Sequence, residues 1–415
     1  MHKLYGILTI LFWSVSTSSF CQTYPNVEFG AIFSLNYIKS QPDETPLLIN
    51  HGNGSFLNFW SFLLNAQIKD NLSLYTLLEA EDGIEIEIYG LSAIYQTEWL
   101  DQLNIEIGKF LIPFGTALQR RWDSENPFVG LPLMYEYHTP ISSMELPGSE
   151  HALLLNRGRG LNLNYNPRGE SLGTKKVNSI TSDNSDTKPL GLEIISHEAY
   201  VTGVQVFGTA GQFGYHLGAA NGSLSNPVDI NNSNGVQLLG RLDYQINMGL
   251  DLGVSFSVGS YLDHNVTNTQ LQNAGKSVED FKQLAVGFDV TYSLGHLELH
   301  SELILNRWQT PFLTEDLDLM AFYLDSKYTF WTRFYGAGRF SLINFSQIDD
   351  LSDVDIDGNL RESWDYDIYQ MDLAFGYHVN RNAIVKIMGR LNKTRDVAGG
   401  DPRDNRLALQ MAVFF

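Results

Sequence analysis

From Val27 to the C-terminus, apolar residues recur at every second position, not at the 3.6-residue spacing of a helix. In 236–246, Val236, Leu238, Leu242, Tyr244 and Ile246 alternate with Gln237, Arg241, Asp243 and Gln245. The next segment repeats the pattern, with Leu250, Leu252, Val254, Phe256 and Val258 against Asp251, Gly253, Ser255, Ser257 and Gly259. The same reading fits 284–294, 297–305, 334–342, 369–379, 383–391 and 407–415. A soluble sandwich alternates as well. These strands, however, run to about 10–13 residues, close to the 9–11 that a tilted strand needs to cross hydrocarbon.

The connections alternate too. Tight links at 69–71, 211–213, 247–249, 293–296, 330–332 and 379–382 are interleaved with long polar ones at 39–55, 222–235, 261–280, 308–317, 346–365 and 393–405. Short turns at one end and long loops at the other are the plan of an outer-membrane barrel. Counting forward, strands near 26–38, 56–68, 71–81, 84–96 and 103–113 leave the fifth pointing outward. Counting back from a periplasmic C-terminus, the strand starting near 198 points inward. The two counts join at an even total of 16 only if 116–197 is a single outer loop, the third. The strand-like piece 152–165 is then no part of the wall. A loop of that length is far beyond ordinary connections and points to function, so it is expected to fold into the lumen as a constriction. The predicted fold is all-β: a 16-stranded antiparallel transmembrane β-barrel with a long, lumen-folded third outer loop.

Residues 1–21 read as a secretory signal peptide: Lys3 carries an early positive charge, 4–15 is apolar, and Ser19 and Cys21 occupy the positions before cleavage. The remaining 22–415 form one barrel domain. Lipidation of Cys21 is the rival reading, disfavoured by the bulky Phe20. The apolar run is too short to span a bilayer as a helix, and no other segment is longer. Of 415 residues, 43% are hydrophobic and 18% charged, too apolar for a disordered chain. With 27 Lys and Arg against 47 Asp and Glu, the net charge of -20 repels nucleic acid. The single cysteine excludes a disulfide framework and paired-cysteine metal or redox sites.

Gly108-Lys109-Phe110-Leu111-Ile112-Pro113-Phe114-Gly115, at the end of the fifth strand, resembles a strand-end motif of the phosphate-selective porin O and P family. Thr202 to Gly208 with Tyr215 to Gly222 resembles that family's central hairpin, and Leu239 to Leu242 the strand after it. The resemblance covers the middle third of the chain and the remainder only by barrel pattern. It implies a 16-stranded, trimeric outer-membrane porin. The departure is charge, because members that pass phosphate line the pore with Arg and Lys. Sorting the polar faces here gives Arg241, Arg333, Arg339, Lys386, Arg390 and Arg406 against Glu85, Glu87, Glu106, Asp243, Asp251, Asp289, Glu298, Glu302 and Asp372. No basic ladder emerges, so anion preference would have to come from the loop, where Arg120, Arg121, Arg157, Arg159 and Arg168 stand.

The constriction is expected at Arg120, Arg121, Trp122, Asp123 and Glu125, and the luminal wall at Arg241, Asp243, Glu298, His300, Glu302, Arg333, Arg339 and Arg390. Trp122 to Phe128 is either an aromatic patch for sugars or the packing of the loop onto the wall. Asp353, Asp355 and Asp357, with Gly358, open like a calcium loop, but Trp364 stands where the pattern wants a bidentate Glu. A Ca2+ ion in this outer loop is the one cofactor considered, beside simple solvation or ion-bridged lipopolysaccharide. His296, Glu298, His300 and Glu302 look like metal ligands in one dimension, yet on a strand residues four apart lie about 13 Å from each other. No nucleophile elbow or phosphate-cradling loop is present, and the triads that Ser142, Ser143, His138 and His151 could form are unspecific, so an enzyme is not expected. Energised transport through a barrel with an N-terminal plug is not expected, since the stretch before the first strand is too short for one.

These readings converge on an outer-membrane channel for passive diffusion of small hydrophilic solutes and ions. The alternatives are an anion- or phosphate-selective porin, and a plugged barrel serving as a surface adhesin or scaffold. The expected partners are outer-membrane lipid and lipopolysaccharide, two further copies of the chain, and the outer-membrane assembly machinery through the alternating C-terminus ending in Phe415. On the face assignment, Val254→Arg and Phe288→Arg should impair assembly and Ser255→Arg should be tolerated.

Overall fold

The computed structural model describes residues 24–40, 55–81, 86–97, 103–158, 160, 191–198, 200–266, 269–273, 275–355, 357–397, 400–402 and 405–415. The proposed signal peptide, Glu85, Arg159 and Arg168 lie outside them. Sixteen antiparallel strands close into one barrel, each paired with its neighbours in sequence. They are β1 (Asn26–Ser40), β2 (Ser55–Lys69), β3 (Leu72–Glu81), β4 (Glu87–Gln96), β5 (Asn104–Leu111), β6 (Tyr200–Ala210), β7 (Phe213–Ala220), β8 (Gln237–Asn247), β9 (Leu250–Ser260), β10 (Lys282–Leu294), β11 (Leu297–Trp308), β12 (Leu317–Phe330), β13 (Phe334–Phe345), β16 (Ile368–Asn380), β17 (Ala383–Thr394) and β18 (Arg406–Phe414). The short β14 (Gln347–Asp349) and β15 (Arg361–Ser363) pair only with each other, in the loop between β13 and β16. The barrel shuts where Ile32 lies opposite Phe414 and Ser40 opposite Arg406. Closure leaves no unpaired edge, the condition for a sheet to survive in hydrocarbon.

The wall is inverted relative to a soluble protein. On β18, Leu407, Leu409, Met411 and Val413 are exposed while Arg406, Ala408, Gln410 and Ala412 are buried. On β17, Val385, Ile387 and Leu391 point out, and Lys386, Arg390 and Asn392 point in. Directly opposed residues on neighbouring strands share a face. Val254, 46% exposed, therefore lies in one outward row with Leu242 and Phe288. Near the short turns, Phe330, Trp331, Phe334, Phe375 and Tyr377 form a connected ring cluster with centroids 4.6–6.4 Å apart, the kind of aromatic group that settles at a membrane interface.

Between β5 and β6, none of the described residues of 112–198 adds a strand to the wall, and β5 pairs directly with β6. Within the strand-like piece 152–165, Ala152 to Leu154 belongs to a helical turn, Glu150–Leu154, capped by the Ser149 hydroxyl; 161–165 lie outside the described residues. The connection is not the polar segment its Arg, Asp and Glu content suggests. Phe114, Leu118, Leu133, Met134, Tyr135, Tyr137, Leu153 and Leu154 are buried in one core with Tyr261, Trp308, Leu317, Phe345, Trp364 and Ile368. The apolar run Phe128 to Tyr137 is the signal in the sequence for this packing.

Candidate functional site

The connection after β5 is stapled to inward-facing side chains. Gly115, at φ +64°, turns the chain so that the next two backbone amides converge on Glu302 of β11. Glu302 Oε1 accepts from Thr116 N at 2.5 Å, Ala117 N at 2.7 Å and Thr116 Oγ1 at 3.0 Å, and Oε2 accepts from Tyr135 Oη at 2.5 Å. A Cβ at Gly115 would stand 2.6 Å from Glu302 Oε2, so both the φ and the close approach require glycine. One buried carboxylate thus gathers four donors from the loop.

Further along, Arg121 pairs with Glu79 of β3 and stacks on Tyr89, Trp122 and Tyr200. Across the barrel, Lys386 of β17 donates to Asp123 O and Asn126 O, each at 2.7 Å, and to Gln410 Oε1 at 2.6 Å. Tyr335 of β13 donates to Pro127 O at 2.9 Å. Phe128 is fully buried, with the Arg339 guanidinium 4.1 Å from its ring centroid. Of the two readings of Trp122 to Phe128, Phe128 follows the packing one. The segment 115–136 therefore bonds to inward residues of β3, β11, β13 and β17.

Three wall arginines, Arg241, Arg339 and Arg390, are matched by acid. Arg241 chelates Asp289 at 2.7 and 2.9 Å and also pairs with Asp243. Gly253 makes room for this, since a Cβ there would stand 2.4 Å from the guanidinium and from both carboxylate oxygens of Asp289. Arg339 chelates Asp325 at 2.7 and 2.9 Å. Arg390 chelates Asp372 at 2.8 and 2.9 Å and reaches the loop's Glu136 at 2.7 Å. Buried ions survive only when paired and hydrogen-bonded in this way. Face sorting overlooked Glu79 and Asp325. Both were legible as even-spaced charges on strands otherwise assigned.

The remaining predicted positions divide. Glu298, on the inward face, binds Lys327 at 3.1 Å, and His300 Nδ1 lies 3.2 Å from Thr291 Oγ1. Arg120 donates to Tyr323 Oη at 3.3 Å and has no ion pair among the described residues. Glu125 is exposed. Arg333 is not a wall residue: β12 runs on to Phe330, so 331–333 form the turn, and its exposed guanidinium donates to Val379 O at 3.2 Å. Ser255 faces inward as expected but not toward water. It is fully buried and accepts from Gly115 N at 3.2 Å and Arg241 Nη1 at 3.0 Å, so Ser255→Arg would not be tolerated.

At the long-loop end, Asp353, Asp355 and Asp357 bring one carboxylate oxygen each within 4.8 Å of the others. Asp355 already pairs with Arg157 at 3.2 Å, and Asp357 Oδ1 accepts from Asn359 N. Trp364, at the twelfth position, is buried against Trp308 and Phe345. Arg157 also binds Glu362 at 3.1 Å. Next to it Asp365 accepts from Gly158 N at 2.8 Å and Tyr137 Oη at 2.7 Å. Burial pushes its carboxyl up to about 6 in spite of these donors. Two distant parts of the long connection meet at Glu193, where His138 Nε2 and His197 Nδ1 lie 3.1 and 2.8 Å from the carboxylate. Burial opposes its ionisation, but the His197 charge and the His138 bond bring it down to about 2.

No family model matches the sequence, and no curated protein does. The structure, in contrast, is similar to solved outer-membrane barrels. A loop L8 deletion of OmpT, an outer membrane protein of Vibrio cholerae, aligns over 94% of this chain and 99% of that one at 10% identity and a TM-score of 0.55. An anion-selective porin from Comamonas acidovorans covers 94% and 99% at 9% identity and a TM-score of 0.54. The outer membrane channel DcaP of Acinetobacter baumannii covers 96% and 100% at 9% identity and a TM-score of 0.54. At such identities the likeness is one of fold, and the resemblance to porins O and P rests on its local motifs alone.

Proposed function

We propose that the chain is an outer-membrane porin, a passive channel for small hydrophilic solutes and ions, narrowed by the segment Arg120 to Glu136. The observation that carries this reading is the inverted wall: apolar side chains outside, ion-paired side chains inside, and a single long connection bonded to the inner face. Solved structures of similar fold, among them an anion-selective porin and an outer membrane channel, support it. Selection in such a pore follows width and charge more than binding. Because Arg241, Arg339, Arg390 and Arg121 are each held by carboxylates, the interior offers little free positive charge, and weak ion selectivity follows. The arrangement does not favour a phosphate pore, for which these guanidinium groups would have to be available.

A second reading has its own support. The long connection shares an apolar core with residues of the barrel strands and the other long loops, which suits a plugged scaffold. Liposome swelling separates the two. A porin admits small sugars at rates that fall with solute size, and a plugged barrel gives no swelling at any size. The leader, export to the outer membrane, recognition of Phe415 by the assembly machinery and a trimeric state belong to the same proposal.

A further inference from the structure

Just beyond the constriction the long connection is drawn together by a contact that the porin reading does not use. Residues 138–141 and 191–193 run side by side. Thr139 N donates to Leu192 O at 2.9 Å and Leu192 N to Ile141 O at 2.6 Å, while His138 and Glu193 form an isolated antiparallel bridge. The approach requires glycine, since a Cβ at Gly191 would stand 1.5 Å from Thr139 O. The 191–198 segment is itself seated on the wall, Ile194 O accepting from Gln283 Nε2 of β10 at 3.0 Å. On the other side, the bond of Glu136 to Arg390 holds the chain to β17 two residues before His138. Opening this clasp would therefore free the chain on the C-terminal side of the constriction.

Donors and acceptors alone give the clasp a proton requirement. His138 Nδ1 lies 2.6 Å from Gly191 O, a carbonyl that only accepts, so Nδ1 carries a hydrogen. Nε2 of the same ring lies 3.1 Å from Glu193 Oε1, and an ionised carboxylate also only accepts. The two contacts are made together only by the imidazolium. A neutral ring, its one hydrogen committed to Gly191, turns a lone pair toward a buried carboxylate. His197 has no such requirement, because its backbone N and its Nδ1 donate to Glu193, each at 2.8 Å, with the ring neutral or charged. The charged groups that meet His138 are thus Glu193 and, through it, His197. Of the other segments packed here, Gly160 brings backbone against His138 O, Asp365 is turned to Tyr137 and Gly158, and Arg157 to Asp355 and Glu362. Glu193, brought down to about 2, stays ionised through the range in which imidazoles titrate. The closed clasp binds one proton more than the open one, so rising pH opens it.

We infer that His138, Glu193 and His197 form a proton-operated latch on the long connection, closed while His138 is an imidazolium and slack once it is neutral. Its effect on current rests on the porin reading; the latch itself does not. Hydrogen exchange of the full chain folded in detergent, followed at the Thr139 and Leu192 amides, reads the latch whether or not the barrel conducts. Protection, corrected for intrinsic rates, should fall at least tenfold between pH 5.5 and 8.0 along a one-proton curve. His138→Gln keeps a donor for Glu193 at every pH, so its protection should change less than twofold. His138→Phe should exchange at pH 5.5 as fast as wild type does at pH 8.0. Asp365→Asn, which removes the nearby titrating carboxyl, should leave the curve in place. Equal protection of wild type at the two pH values, a curve that survives in His138→Gln, or one that vanishes in Asp365→Asn overturns the latch. In planar bilayers the same pH step should raise open-level noise at least twofold in wild type and not in His138→Gln. Noise that ignores pH while protection follows it overturns the latch's hold on the pore. A barrel that conducts at neither pH yet shows the protection curve keeps the latch and removes the porin reading.

Discussion

Replacing Glu302 by Ala removes the acceptor for Thr116 N, Ala117 N, Thr116 Oγ1 and Tyr135 Oη together. The side chain takes no part in the ladder between β10, β11 and β12, which is made by backbone groups, so the wall should persist. Donors left buried without a partner cost about 1–3 kcal/mol each. The four share one carboxylate and are not additive, and breaking a buried charged network typically costs about 3–5 kcal/mol. At 1.4 kcal/mol per factor of ten, the balance between docked and released loop should move by roughly a hundredfold to a few thousandfold. Planar-bilayer recording reads this directly: a quiet wild-type channel should become a flickering one with a larger open level, and trypsin should cut the variant between Thr116 and Tyr135 faster. Gly115→Ala should act the same way but more weakly, through the left-handed φ and the 2.6 Å approach to Glu302 Oε2. A Glu302→Ala channel with unchanged conductance, noise and protease resistance would refute the view that this carboxylate holds the constriction.

Val254→Arg and Phe288→Arg, on the outward row, should lower folding yield in lipid by roughly 2–4 kcal/mol at mid-depth, while Asp251→Arg, inward and half-buried near a short turn, should assemble; equal yields in a vesicle-folding assay would overturn the face assignment. Arg120→Ala with Arg121→Ala should shift reversal potentials toward cations, because Glu79 loses its counter-ion; an unchanged potential would place the constriction elsewhere. Asp365, raised from an ordinary 3.8 to about 6, binds a proton more tightly when folded. Its contribution is present below pH 3.8 and lost as pH rises through 6, up to roughly 3 kcal/mol. Glu193, lowered from 4.5 to about 2, contributes above pH 4.5 and loses that as pH falls toward 2. Amide exchange at Gly158 should therefore slow between pH 7 and 5, after correction for intrinsic rates, and Asp365→Asn should abolish that dependence; a dependence surviving in Asp365→Asn would contradict the assignment.

The barrel was legible because its determinants are local. Period-two alternation, alternate short and long links and an even count place the sixteen strands within a few residues of their observed ends, as with 71–81 against Leu72–Glu81. The inner site was legible only in part. Alternation tells which residues face inward, so Arg241, Arg339, Arg390 and Glu302 stand on that face. It does not tell what covers them, so Ser255 reads as wet when it is buried under Gly115. Arg333 was misplaced because β12 and β13 are joined by a three-residue turn whose polar residue mimics the wall. The loop's partners, such as Glu136 with Arg390, are 254 residues apart in the chain, and nothing in the local pattern encodes such a pair.

The central claim is an open, weakly selective pore narrowed by a stapled loop. Single-channel recording of the full chain in a tenfold salt gradient tests it in one measurement. The structure predicts a finite, steady conductance and a reversal potential close to zero, because Arg241, Arg339 and Arg390 are matched by carboxylates. No conductance would mean a plugged barrel, and a reversal potential near the anion limit would mean that the guanidinium groups are free for phosphate-like ions after all.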